Sequence, residues 1–175
     1  MALSRINSSM IGAGDVSNTE HAYLNSVTSN VQTQINGVGG KILQVVSDTG
    51  NSSTATTSST SWQDIDTIGT ITPSATSSKV LVMLTYMMYS HTGGGDTGGS
   101  GKIVRNSTTD IGYTQTLYIA ATASTPAYQG NFFNMILDSP SSSSAVQYNL
   151  YQRAQYGGTI QTNYGWECVL MEVEG

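Results

Sequence analysis

The sequence predicts a mainly β protein: an antiparallel β-sandwich or jelly-roll head behind one short N-terminal α-helical stalk. Three observations lead there. From 41 to 175, strand-forming runs alternate with Gly, Pro, Ser and Asn turn formers, and no stretch between them has a helical period. Ahead of them lies a single helical phrase, SNTEHAYLNSVTSNVQTQINGVGGK (17–41), which opens on a capping pair and closes on glycines. Only 10% of the 175 residues are charged, so neutral Ser and Thr carry the solubility, while ten Tyr, two Trp and seven Met mark a chain that folds.

Residues 1–16 have no regular apolar pattern and read as a segment ordered by a partner. The helix starts at Ser17, where Ser17 and Glu20 have the spacing of a capping box and satisfy two otherwise orphaned amides. It stops near Asn36-Gly37, because glycine tolerates the left-handed conformation that ends helices. Between them His21, Leu24, Thr28, Val31, Ile35 and Val38 fall on the a and d positions of a heptad. This phrase is rich in Ser, Thr, Asn and Val, poor helix formers, and about 20 residues are marginal alone even with good ones. Copies of the same helix from other chains are therefore the expected support, with Leu24, Thr28, Val31, Ile35 and Val38 as the candidate association seam. The simpler alternative is one amphipathic helix lying on its own β domain.

The head, 41–175, offers strand candidates at 41–48, 58–65, 67–72, 79–90, 101–106, 109–121, 127–138, 145–156, 159–164 and 166–174. Turns are expected at Pro73, HTGGGDTGGSG (91–101), Thr125-Pro126, DSPSSSS (138–144) and Gly157-Gly158. About eight to ten antiparallel strands at this spacing make a sandwich or jelly roll. VLVMLTYMMY and WECVLMEV carry apolar groups on both faces, whereas a sandwich strand normally keeps one face polar. Something must cover the outer side, and another subunit is the simplest cover.

Composition narrows the function. The net charge is −5, and the six Lys and Arg form no run, which argues against nucleic-acid binding through phosphates and against a basic membrane-surface helix. The apolar run Val80 to Met88 is too short to cross a bilayer, and MALSRINSSMIGAG lacks the apolar core of a secretory signal. A single cysteine, Cys168, allows no internal disulfide framework and reads as a buried strand residue.

No constellation for catalysis stands out. The two histidines are His21, in the stalk seam, and His91, at the start of a glycine-rich loop without a nucleophile elbow. Asp64 and Asp66 in WQDIDT have the look of a solvated strand face rather than a glycosidase pair. HTGGGDTGGSG lacks the Gly-Lys-Ser/Thr ending of a phosphate loop, and its one carboxylate, Asp96, makes no calcium site by itself. The expectation is no enzyme, no cofactor and no metal, apart from an axial ion that a symmetric assembly would allow at His21 or Asp96. What remains is surface chemistry: the 91–101 loop and the tyrosines of 113–128 and 148–164 would suit a saccharide rim, with His91, Asp96, Tyr113, Tyr128 and Tyr156 as candidate receptor contacts. The plainer reading is that most of these tyrosines pack inside the sandwich or between subunits.

DVSNTEHAYLNSVTSNVQTQIN (15–36) resembles a phrase of tail-fibre and related appendage proteins of tailed bacteriophages, marine and cyanobacterial phages above all. GKILQVVS, SSTSWQDIDTIGTITPSATSSKVLVML and ILDSPSSSSAVQYNLY are similar to the β head that follows it there. The resemblance covers the chain from Asp15 onward. It implies a homotrimeric tail fibre, head fibre or knob at the virion surface, assembled in the bacterial host cytoplasm, with no catalytic motif. In that picture residues 1–16 dock on capsid or tail proteins, the helical coiled coil 17–38 trimerises, and the head meets a host-surface glycan or protein. One alternative is a capsid decoration protein that braces the shell; another, of a different class, is a glycan depolymerase.

Overall fold

The computed structural model describes Thr19, Tyr23, Thr33, Ile35 and Gly37, then 41–50, 55–91, 96–119, 128–155 and 158–175, with the backbone alone at Ala55, His91, Tyr113, Ile119, Tyr128, Asn163 and Tyr164. The chain divides into two units, Met1–Gly39 and Gly40–Gly175. In the first unit Thr19, Tyr23, Thr33 and Ile35 are helical, and the Gly37 amide donates to the Thr33 carbonyl at 2.9 Å. The expected stalk helix over 17–38 and anchor over 1–16 otherwise lie outside the described residues. Ile35 is described and exposed, while Leu24, Thr28, Val31 and Val38 are not described.

The second unit is built from β1 (Ile42–Gly50), β2 (Ala55–Thr57), β3 (Gln63–Ile71), β4 (Lys79–His91), β5 (Thr97–Arg105), β6 (Thr109–Ile119), β7 (Tyr128–Asp138), β8 (Val146–Gln155) and β9 (Thr159–Val173). They form two antiparallel sheets, one ordered β1-β9-β4-β7 with β2 also on β9, the other β3-β8-β5-β6. The pairings nest. β5 pairs β6, β4 pairs β7, β3 pairs β8 and β1 pairs β9, as in one long hairpin. Rolling that hairpin up brings β4 against β9 and β5 against β8, which closes the two sheets of a jelly roll.

The innermost turn explains itself. Thr108 N donates to Arg105 O at 3.1 Å, and Asn106 and Ser107 both have positive φ (49° and 59°), the primed turn whose twist matches a hairpin. Asn106 suits that position because Asn tolerates the left-handed region. Its side chain also accepts from Gln147 N at 2.9 Å, tying the turn to β8.

Between the sheets lie Ile68, Ile71, Val80, Val82, Leu84, Met88, Ile103, Val146, Leu150, Ile160, Cys168 and Leu170, all buried. Each such aliphatic contributes roughly 1.5–3 kcal/mol, so a core of this size sustains the head without disulfides. Tyr86 stacks on Phe132 with ring centroids 5.3 Å apart.

Three expectations are corrected. The span 58–65 is not a strand throughout: 58–62 cross from one sheet to the other, and β3 starts only at Gln63 and absorbs the expected 67–72 strand. The expected 159–164 and 166–174 strands are one strand, β9, in which residues 163–165 bulge opposite Met87 and Gly165 takes φ 88°. HTGGGDTGGSG is not a loop to its end, because Thr97–Gly101 belong to β5 and are buried. Their smallness has a packing cause: a Cβ at Gly101 would collide with the Tyr86 hydroxyl, and one at Gly99 would lie 2.8 Å from Ile160 Cδ1. Of the tyrosines with two readings, Tyr148 packs inside the sandwich and is fully buried.

Candidate functional site

The outer face of the β1-β9-β4-β7 sheet is apolar in register. Val45, Met171, Leu81 and Leu137 lie side by side across four strands, and Val169, Met83 and Met135 form the next row with Ser47. Thr49, Glu167, Thr85 and Phe133 form a third, more polar row, and Lys79 beside Val173 bounds the opposite end. Alternation forces this. With Val80, Val82 and Leu84 pointing into the core, Leu81 and Met83 must point out. On the edge strands these groups stand far into solvent: Met135 is 63% exposed, Phe133 57% and Val45 55%. An apolar centre with Glu167 and Lys79 on its border has the anatomy of a protein contact surface.

The sheet carrying this face is held by buried polar contacts. Glu172 is buried beneath β9, where its carboxylate accepts from Ser74 N at 2.7 Å, Ser74 Oγ at 2.6 Å and Gln44 Nε2 at 2.9 Å. Burial pushes that carboxyl up, and the hydrogen bonds from Ser74, Ser78 and Gln44 outweigh it, holding the group at about 2. Trp166 Nε1 reaches across the sandwich to Asp66 at 3.0 Å, and Gly50 leaves room for the indole, where a Cβ would collide with it. Cys168 is 2% exposed, and burial, with help from Asp48, pushes its thiol up to about 12, as suits a core residue rather than a nucleophile.

The candidate receptor residues separate. His91 pairs with Thr159, the neighbouring Ser90 pairs with Tyr128, and Asp96 immediately precedes Thr97, which pairs with Ile119. His91, Asp96 and Tyr128 therefore sit at one end of the sandwich. Asp96 accepts there from Tyr118 at 3.0 Å, a tyrosine 53% exposed. Tyr113 lies within β6, away from that end, and Tyr156 lies outside the described residues. Asp64 and Asp66 are exposed but do not face each other: Asp64 accepts from Asn149 at 3.1 Å and Asp66 from Trp166. Among the described residues no three His, Cys, Asp or Glu cluster for a metal ion.

A third feature, with no local sequence signature, lies on the outer face of the β3-β8-β5-β6 sheet. Lys102 Nζ lies 4.5 Å from the ring centroid of Trp62, and Arg153 Cζ lies 4.6 Å from the same centroid. Arg153 also lines a shallow concavity of about 290 Å³, together with Thr60, Ala154 and Gln155. Trp62, Lys102 and Arg153 are far apart in sequence, and only the β3-β8-β5 register joins them.

Solved structures with a similar course of chain include dimeric latent PorU from Porphyromonas gingivalis, at a TM-score of 0.46 and 10% identity over 79% of this chain and 14% of that one. They also include the VP2 subviral particle of infectious bursal disease virus, at a TM-score of 0.38 and 10% identity over 75% of this chain and 33% of that one. The chain thus spans a third or less of the length of either. No protein-family model matches the chain, and no curated protein matches its sequence.

Proposed function

We propose that the protein is a structural subunit of a phage particle, a homotrimeric fibre or knob at the virion surface. Copies join through the stalk and through the outer face of the β1-β9-β4-β7 sheet, and the jelly-roll head contributes to host attachment rather than to catalysis. The observation that carries the reading is the in-register apolar face of Val45, Leu81, Met83, Met135, Leu137, Val169 and Met171, which one chain leaves open to water. The likeness of 15–36 and of the head phrases to phage appendage proteins supports the virion setting.

Magnitudes explain why both contacts are needed. Four strands about 4.8 Å apart and six residues of about 3.4 Å give a face of roughly 400 Å² in plan. A stable protein pair buries about 800 Å² per partner. The sheet face alone is thus a weak interface, and the stalk seam adds to it.

Sedimentation of the full chain at micromolar concentration tests the assembly, and a trimer is expected. Met135→Glu with Leu137→Glu should lower the assembled fraction while leaving the β circular-dichroism signal intact. A full-length monomer would sink the trimer; undiminished assembly of the variant would remove the sheet face from it. Mass spectrometry of purified particles tests the virion setting, which fails if the chain is absent from them.

A further inference from the structure

We infer that Trp62 and Arg153 form a binding site for a carboxylated sugar, a uronate-type residue of an acidic glycan, on the outer face of the β3-β8-β5-β6 sheet. Trp62 comes one residue before β3, and extending the β3–β8 register sets it opposite Arg153, on the outward side with Asp64 and Tyr151. Lys102 stands on β5, on the far side of β8. For the indole to lie 4.5 Å from Lys102 Nζ and 4.6 Å from Arg153 Cζ, the ring must lean across β8 and lie over the sheet. The Lys102 side chain is only 13% exposed, as a side chain roofed by an aromatic ring would be. Trp62 itself remains half-buried.

The apolar face of an indole stacks on the C–H face of a pyranose. The charges then select which sugar. Lys102 is already answered by Asp110, at 2.7 Å. The other ion pair among the described residues is Arg105–Asp138, so Arg153 is not in either pair. Its Nε is buried without a hydrogen-bond partner, and the residue that meets the Trp62 ring also lines the concavity, together with Thr60, Ala154 and Gln155. A guanidinium at the rim of an open concavity is the group that a carboxylate recognises, in fixed planar geometry. Thr60 and Gln155 offer the hydroxyl and amide that sugar hydroxyls need. A pyranose on Trp62 with its carboxylate turned toward Arg153 uses all of these groups at once. The site lies on the opposite sheet from the proposed subunit face, so it stands or falls independently of trimer formation.

The test uses the full chain and oligogalacturonate as the probe. Of the two tryptophans, Trp166 is 7% exposed, so a binding-linked change in intrinsic fluorescence reports on Trp62. A saturable change is expected, and calorimetry should show it weakened about tenfold or more by Arg153→Gln and abolished by Trp62→Ala. Unchanged melting temperatures in both variants separate lost binding from lost fold. A neutral galactose oligomer should bind at least tenfold less tightly. The proposal is overturned if no saturable signal arises up to millimolar probe, if Trp62→Ala binds as the parent does, or if the neutral oligomer binds equally well. A polyglutamate peptide binding as tightly as the glycan would overturn the sugar assignment.

Discussion

Arg105 and Asp138 pair across the two sheets: one nitrogen, Nη1 of Arg105 on β5, donates to both carboxylate oxygens of Asp138 on β7, at 2.7 and 2.8 Å. The Tyr148 hydroxyl donates to the same carboxylate at 2.9 Å. Three strands are thereby joined at one end of the core, next to the Asn106 turn. The Tyr148 hydroxyl is pushed well up from its ordinary value, first through burial and then through the adjoining Asp138 charge.

Removing the shared acceptor should therefore cost more than removing either donor. Asp138→Ala leaves Arg105 and Tyr148 without their partner and is expected to destabilise the head by about 3 kcal/mol. Tyr148→Phe should cost only about 1 kcal/mol, since the ring still packs. In a double-mutant cycle, Arg105→Met with Asp138→Leu should cost clearly less than the two single changes added together. Urea unfolding of the five variants measures this, and strict additivity would contradict a coupled pair.

Glu172 gives the head an acid limit. Its folded carboxyl is held at about 2 against an ordinary value of 4.5, so the folded state favours the ionised form. The stabilisation is fully present above pH 4.5 and is lost as pH falls toward about 2. Thermal melts from pH 6 to pH 2 should show a declining melting temperature across that window. Glu172→Gln should flatten the decline, at the expense of lower stability at neutral pH. An equally steep decline in the variant would place the acid sensitivity elsewhere.

Gly101 and Tyr86 meet across the sandwich, where a methyl group on Gly101 would run into the phenol oxygen. Gly101→Ala is expected to cost about 1–3 kcal/mol through overpacking. Adding Tyr86→Phe removes the obstructing oxygen and should recover part of that loss. Chemical denaturation of the single and double variants checks it, and no recovery would mean that the backbone rather than the hydroxyl is the obstacle.

Cys168 should be unreactive until the head opens. It is buried, and its thiol is pushed up to about 12, so almost no thiolate exists at pH 8. Alkylation at pH 8 should proceed only through unfolding, and its rate should rise with urea in step with the unfolding curve. Fast labelling of the native chain would show that β9 opens locally against β1 or β4.

Much of the head was legible because strand alternation is a local signal. Lys79–His91, Thr109–Ile119, Tyr128–Asp138 and Val146–Gln155 fall within two residues of their expected spans. The doubly apolar character of VLVMLTYMMY and WECVLMEV follows from alternation on two adjacent strands, since Leu81, Met83, Val169 and Met171 cannot all turn inward and share the outer face of one sheet. Glycine is the deceptive residue in HTGGGDTGGSG. A glycine run resembles a loop in sequence, yet Gly99 and Gly101 are strand positions whose missing side chains admit Ile160 and Tyr86 from the other sheet. The Trp62–Lys102–Arg153 cluster had no local signature, because three strands of non-local pairing assemble it. The Glu172 lock was equally hidden: Ser74, Gln44 and Glu172 meet only when the outer hairpin closes.

The two proposed contacts between copies can be separated by where charge is introduced. Val31→Asp with Ile35→Asp puts unpaired carboxylates into the stalk seam, which an apolar seam tolerates poorly. Met135→Glu with Leu137→Glu places the charges on the exposed edge strand β7, where folding barely registers them. A face of roughly 400 Å² is too small to hold a trimer at micromolar concentration alone, so the stalk change should shift the chain toward monomer while the head melts at its original temperature. The sheet-face change should weaken assembly less, because the tethered heads remain at high effective concentration once the stalks have joined. The four substitutions together should give a folded monomer. Sedimentation equilibrium of the three variants beside the parent reads the order directly. If the sheet-face change alone dissociates the assembly and the stalk change does not, the stalk is not the element that brings the copies together, and the jelly-roll face must do so unaided.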